Sequence, residues 1–208
     1  MKRRIFSVCI IVLFAVWISI YVSTYELYSW KEDSGTNSEH PDTDRKLINL
    51  KNGMHKLEDI KADETILAVK YENWAWGHQN YLLVINKRGK CKFLNLEDEK
   101  PGEENMLFFM DACLADDGIP YLKKTLELGN DLLETIINTQ DFDIKKTGEA
   151  WDAGCLSYYS VYGCGEQRKL VCMQTDGDIE RRSRFREVKE ICEKMYELYR
   201  EKGTCITK

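Results

Sequence analysis

The sequence predicts an α+β domain behind a single N-terminal transmembrane helix, with one antiparallel sheet and helices packed on a face. Three observations predict it. An uncharged apolar run stands near the start, several short runs rich in β-branched and aromatic residues follow, and apolar residues recur at helical spacing in the closing stretch. In chain order the elements after the apolar run read βββ–α–ββ–α.

The apolar run is Ile5 to Val22, 18 residues without a charge. As a helix it spans ~27 Å, close to the hydrocarbon thickness of a bilayer. Lys2, Arg3 and Arg4 precede it, and Glu26, Glu32 and Asp33 follow. That asymmetry holds a short N-terminus in the cytoplasm and sends the rest of the chain outward. Tyr21, Tyr25, Tyr28 and Trp30 suit the interfacial belt at the exit. A cleaved signal peptide is the rival, disfavoured by the length of the run and by the lack of a small-residue cleavage site. The chain therefore divides into a cytoplasmic tail (1–4), a signal-anchor helix (5–24), a polar tether (25–46) and an extracytoplasmic α+β domain (47–208). This places the protein in a cell membrane as a single-pass chain with its C-terminal domain outside.

Charge excludes one class of partner. The formal net charge is −5 and the first 30 residues contribute +2, so the remainder carries −7. An acidic body does not seek phosphate backbones, and no nucleic acid is expected.

Within the domain, residues 65–72, 80–87 and 90–96 read as strands, the last two joined by the tight turn Arg88-Gly89. Met106 to Ala115 shows no clear period. Pro120 then suits the first position of a helix lined by Leu122, Leu126, Leu133, Ile136 and Ile137, with a break at Gly129-Asn130. Residues 157–162 and 169–175 are strand-like, joined by Gly163-Cys164-Gly165. A final helix runs from about 185 to 202, with Phe185, Val188, Ile191, Cys192, Met195 and Leu198 on one face and Gly203 as its cap.

Cysteine usage leaves two readings open. Cys9 lies in the apolar run, and the other seven are outside it. On the outer side one or two disulfides can persist, with an odd thiol left over, or the cysteines are simply buried small residues. Their spacings match no zinc pattern, and no cofactor fingerprint stands in the chain.

Several clusters could carry chemistry. In NWAWGHQN (73–80), Trp74 and Trp76 form an aromatic platform with His78, or they cap the core. Around residue 155, Trp151, Asp152 and Tyr158 could line a groove. A nucleophilic constellation of Cys155, His78 and Asp152 can be drawn, needing thiol, base and acid within hydrogen-bond reach. In TDGDIE (175–180), Asp176, Asp178 and Glu180 offer oxygen ligands, but the calcium-loop layout is missing and a plain turn explains them. No metal site is expected. The basic run RRSRFR (181–186) could face lipid headgroups, and is explained equally by pairing with nearby carboxylates.

AWGHQN before a strand, DAGCLSYYSVYG in the middle and GDIE before the last helix resemble a loosely defined group of small, exported or membrane-anchored, uncharacterised bacterial proteins. The resemblance spans about residues 64–202. It implies a small α+β domain and supplies no catalytic residues, and the extra cysteines depart from it.

Taken together, the expectation is a membrane-anchored binding module for a protein, an envelope component or a small ligand, lined by Trp74, Trp76, His78, Trp151, Asp152 and Tyr158. The alternatives are a cysteine-dependent hydrolase using Cys155 and His78, and a structural envelope protein. No cofactor is expected.

Overall fold

The computed structural model describes residues 45–47, 54–75, 77–96, 101–150 and 154–201. The apolar run Ile5–Val22, the tether up to residue 44 and Gly203 lie outside them. No helix among the described residues is long and apolar enough to cross a membrane.

Among the described residues, seven strands form one antiparallel sheet in the order β3-β2-β1-β5-β6-β7-β4. They are β1 (Thr65–Asn73), β2 (Gln79–Asn86), β3 (Cys91–Asn95), β4 (Ile144–Glu149), β5 (Cys155–Tyr162), β6 (Lys169–Gly177) and β7 (Ile179–Ser183). Three α-helices accompany them among the described residues: α1 (Met106–Ala115), α2 (Asn130–Ile137) and α3 (Arg186–Arg200). The α+β class with one antiparallel sheet is as expected.

The helices occupy both faces of the sheet, not one. Leu67, Val69, Leu83 and Ile85 share a core with Ile136 and Ile137 of α2 and Val188, Ile191 and Met195 of α3. The alternate residues Ala68, Leu82 and Val84 pack with Met106, Met110 and Leu114 of α1. Successive side chains of a strand point to opposite faces, so a strand covered on both sides must be apolar at every position. That is why β1 and β2 contain the unbroken runs ILAV and LLVI.

Two other differences have physical causes. Residues 120–129 are extended rather than helical: Leu122 N donates to Cys91 O (2.8 Å) and Leu126 N to Gly89 O (2.8 Å), which covers the β3 edge. Leu122 and Leu126 are buried there, so a spacing of four marks an inward-facing edge segment and not a helical stripe. The β2–β3 turn is held by Gly89 at φ 71°, where an added Cβ would sit 1.8 Å from Leu126 O. The first residues of the run at 181–186 form β7 beside β4, a strand no apolar pattern announces, while Arg182, Arg184 and Arg186 pair with carboxylates as the pairing reading expects. All six described cysteines (Cys91, Cys113, Cys155, Cys164, Cys172, Cys192) are thiols, which favours the small-residue reading over disulfides for them.

The two ends of the sheet are built differently. Antiparallel pairing of Leu67 with Ser160 and Glu72 with Cys155 puts the β1–β2 turn at one end and the β5–β6 turn at the other. At the β5–β6 end, the Arg168 side chain is 7% exposed and its guanidinium pairs with Asp111 of α1 (2.5 Å) and with Glu64 (3.7 Å). It also donates to Thr65 O (2.6 Å), while Asp111 accepts from Thr65 N (2.8 Å). A buried ionic knot thus ties α1 to the start of β1.

Candidate functional site

A cleft of about 470 Å³ lies between α3 and the sheet, at the β1–β2 end. The sheet supplies Tyr71, Gln79, Tyr158, Asp176 and Arg182, and α3 supplies Lys189, Cys192, Glu193, Tyr196 and Tyr199. Two glycines shape its floor. Gly177 (φ 115°) approaches Gly154 so closely that a Cβ would lie 2.0 Å from Gly154 O. Gly154 (φ 72°) in turn sits against Tyr71 and Asn73, where a Cβ would meet the Tyr71 hydroxyl at 2.8 Å. No side chain fits at either position, which keeps this end of the cleft open.

Two of the cleft's rings, Tyr71 and Tyr199 of α3, meet at 6.4 Å between centroids, and behind them Tyr81 stacks on Tyr71 (6.2 Å) and Phe93 on Tyr81 (5.7 Å), with Tyr199 also reaching Phe93. Such pairs add about 0.5–1.5 kcal/mol beyond area burial and fix ring positions. Tyr196 is the outermost ring, 44% exposed at the cleft.

The polar wall centres on Asp176. It accepts both hydrogen bonds of the Gln174 amide (3.2 and 3.0 Å) and an ion pair from Arg182 (3.4 Å), which also reaches Glu180 (3.3 Å). Tyr158, 2% exposed, lines the cleft with Asp176, and burial followed by the Asp176 charge pushes its hydroxyl well above the ordinary phenol range. Tyr158 therefore stays a neutral phenol. Cys192 is likewise pushed up, first by burial and then by Asp176, which keeps it a thiol. Lys189 and Glu193 pair on the adjoining turn of α3 at 3.9 Å. The lining carries two anionic and two cationic groups, so it sums to neutral.

The remaining sequence-nominated residues fall as follows. Tyr158 lines the cleft. Trp74 and His78 belong to the β1–β2 turn, their rings 4.1 Å apart, with Trp74 61% exposed. That turn is shaped by Asn73, whose Oδ1 accepts from Ala75 N (2.9 Å), and by Gly77 at φ 96°. Trp76, Trp151 and Asp152 lie outside the described residues. Cys155 Sγ lies 3.7 Å from Ser157 Oγ, and no hydrogen bond joins it to His78. Asp176 and Arg182 serve the cleft as a strand-borne pair. No group of His, Cys, Asp or Glu side chains among the described residues could hold a metal ion.

One contact had no signal in the sequence. His55 Nδ1 lies 3.2 Å from Cys164 Sγ, across 109 positions of chain. The segment holding His55 has no clear period, and only the flanking glycines mark Cys164 as a turn residue. Comparison with protein-family models, with curated proteins and with solved structures returns no match for this chain.

Proposed function

We propose that residues 47–208 are a binding module, which takes a small zwitterionic or net-neutral molecule with an apolar or aromatic part into the cleft beneath α3. The observation that carries this reading is the lining itself: the rings of Tyr71, Tyr196 and Tyr199 and pre-paired opposite charges share one open concavity of about 470 Å³. Ligand sites combine apolar surface with a few placed polar groups, and a volume of this size suits a small molecule. Arg182, Lys189 and Glu193 are the groups that would meet ligand charges. Gln174 orients Asp176, and the exposed ring of Tyr196 would meet the apolar part. The apolar run Ile5–Val22 anchors this module at a membrane with the cleft on the outer side.

Ligand-observed NMR against a panel of amphipathic zwitterions and aromatic acids and amines tests the cleft. The expected result is a set of hits whose affinity falls ~tenfold or more in Arg182→Ala and Tyr196→Ala, equivalent to about 1.4 kcal/mol each. Hits that bind both folded variants as well as the parent, or no hits at all, would overturn it. Protease added to intact cells tests the placement, which fails if the domain is spared.

A further inference from the structure

We propose that Cys164 and His55 form a nucleophilic thiol site that exchanges with low-molecular-weight disulfides, at the opposite end of the sheet from the cleft. The pair is a built arrangement. His55 is 4% exposed, and its backbone is clamped on both sides by one side chain: His55 N donates to Asn138 Oδ1 (3.0 Å) and Asn138 Nδ2 donates to His55 O (2.7 Å). The Tyr162 ring meets the imidazole edge-on at 5.3 Å. Cys164 is half-buried on the β5–β6 turn between Gly163 (φ 84°) and Gly165 (φ 55°), and Gly163 N is pinned to Ile137 O at 2.7 Å. Base and thiol are thus each fixed from behind, and their reactive atoms meet at 3.2 Å.

The other imidazole nitrogen matters as much. His55 Nε2 is buried and has no hydrogen-bond partner among the described residues. The ring's only hydrogen-bonding contact among the described residues is thus the one to Cys164, and Nδ1 takes the thiol proton in the tautomer that carries its hydrogen on Nε2. Three other thiols have different neighbours. Cys91 Sγ donates to Gly89 O and Cys172 Sγ to Gln174 O, while Cys155 faces a hydroxyl. A thiolate with a nearby base is the attacking species in exchange.

The surroundings favour disulfide exchange over acyl transfer. Acyl transfer needs backbone donors aimed at a developing oxyanion. Two amides of this turn are already committed, that of the preceding Gly163 to Ile137 O and that of Gln167, three residues on, to Cys164 O (3.2 Å). Exchange at sulfur needs only the thiolate and access. In the step, the Cys164 proton passes to His55 Nδ1 and the thiolate attacks one sulfur of R–S–S–R. The old S–S bond breaks, Cys164–S–S–R forms, and RS⁻ leaves as RSH with the proton from His55. Cys164 is oxidised to the disulfide level and the departing half is reduced to a thiol.

The probe is 5,5′-dithiobis(2-nitrobenzoic acid) on the folded protein, with the labelled cysteine identified by peptide mass mapping. At pH 6.5 Cys164 is expected to react ~tenfold or more faster than Cys155, another half-buried thiol. His55→Gln is expected to remove that advantage at pH 6.5, and most of the difference between variant and parent closes by pH 9.5, where thiols ionise without help. Cys164→Ser assigns the fast phase. Buried Cys91 and Cys192 report on folding, because an unfolded variant would label them too. If His55→Gln does unfold, the parent alone still decides: equal rates for Cys164 and Cys155 at pH 6.5 overturn the proposal. So does a folded His55→Gln whose pH profile matches the parent's.

Discussion

The β1–β2 and β5–β6 hairpin turns close opposite ends of one sheet, and they differ in what holds them. The β1–β2 turn is aromatic and outward: Trp74 is 61% exposed, and its ring partner is His78, four residues away. The β5–β6 turn is plain in sequence, yet its residues reach far along the chain. Arg168 grips Asp111 and Glu64, Cys164 meets His55, and Gly163 is bonded to Ile137. The lesson is that local density of large side chains does not mark the place where distant groups converge. Convergence is what desolvates charges and sets reactive atoms side by side.

The largest expected effect comes from breaking the buried knot. Asp111→Ala leaves Arg168, with a side chain 7% exposed, short of its main counter-charge and Thr65 N without its acceptor. A loss of about 3–5 kcal/mol is expected from the urea midpoint. A loss below about 1 kcal/mol would mean that the two turns do not differ in the way described.

The contrast between a core thiol and a turn thiol gives the next. Burial pushes Cys91 up from 9.0 to about 11, outweighing the Leu126 backbone hydrogen bond that lowers it. The folded state therefore holds this proton more tightly than the unfolded chain. Its contribution is fully present below pH 9 and is lost as pH rises through about 11. The size is about 2–3 kcal/mol, read as the difference in urea stability between pH 8 and pH 11 that Cys91→Val abolishes. A Cys91→Val profile that overlays the parent's would contradict it.

The smallest belongs to the aromatic turn. Trp74→Ala is expected to cost less than about 1 kcal/mol, since most of the ring stays in water in the folded state. Thermal unfolding checks it, and a loss of several degrees would return Trp74 to the core.

How far the sequence could be read follows from the same physics. β1, β2, β3, β5 and β6 were legible because they are runs of Val, Ile, Leu, Tyr and Phe, and Arg88-Gly89 announced the hairpin. β4 (IKKTGE) and β7 (IERRS) were not, since solvent-facing strands at one side of the sheet carry charges that erase the apolar pattern. Helix α1 (MLFFMDACLA) is apolar nearly all round, with Phe108 80% exposed, so it shows no period to detect. Leu122 and Leu126 imitate a helical stripe while running extended along β3. Of the cleft, Tyr158 was named from its aromatic neighbourhood. Asp176 was weighed as an oxygen ligand and Arg182 as part of a basic run, and strand pairing is what places them together. The His55–Cys164 contact spans elements that no local pattern connects.

The proposed ligand sits beneath α3 rather than at the aromatic turn. An amide chemical-shift map of the domain, titrated with the best-binding compound from the panel, tests it most directly. Shifts are expected to cluster at Gly154, Asp176, Gly177, Arg182 and Lys189, with the Trp74 indole unmoved. Shifts centred on Trp74 and His78, with Asp176 and Arg182 silent, would contradict it.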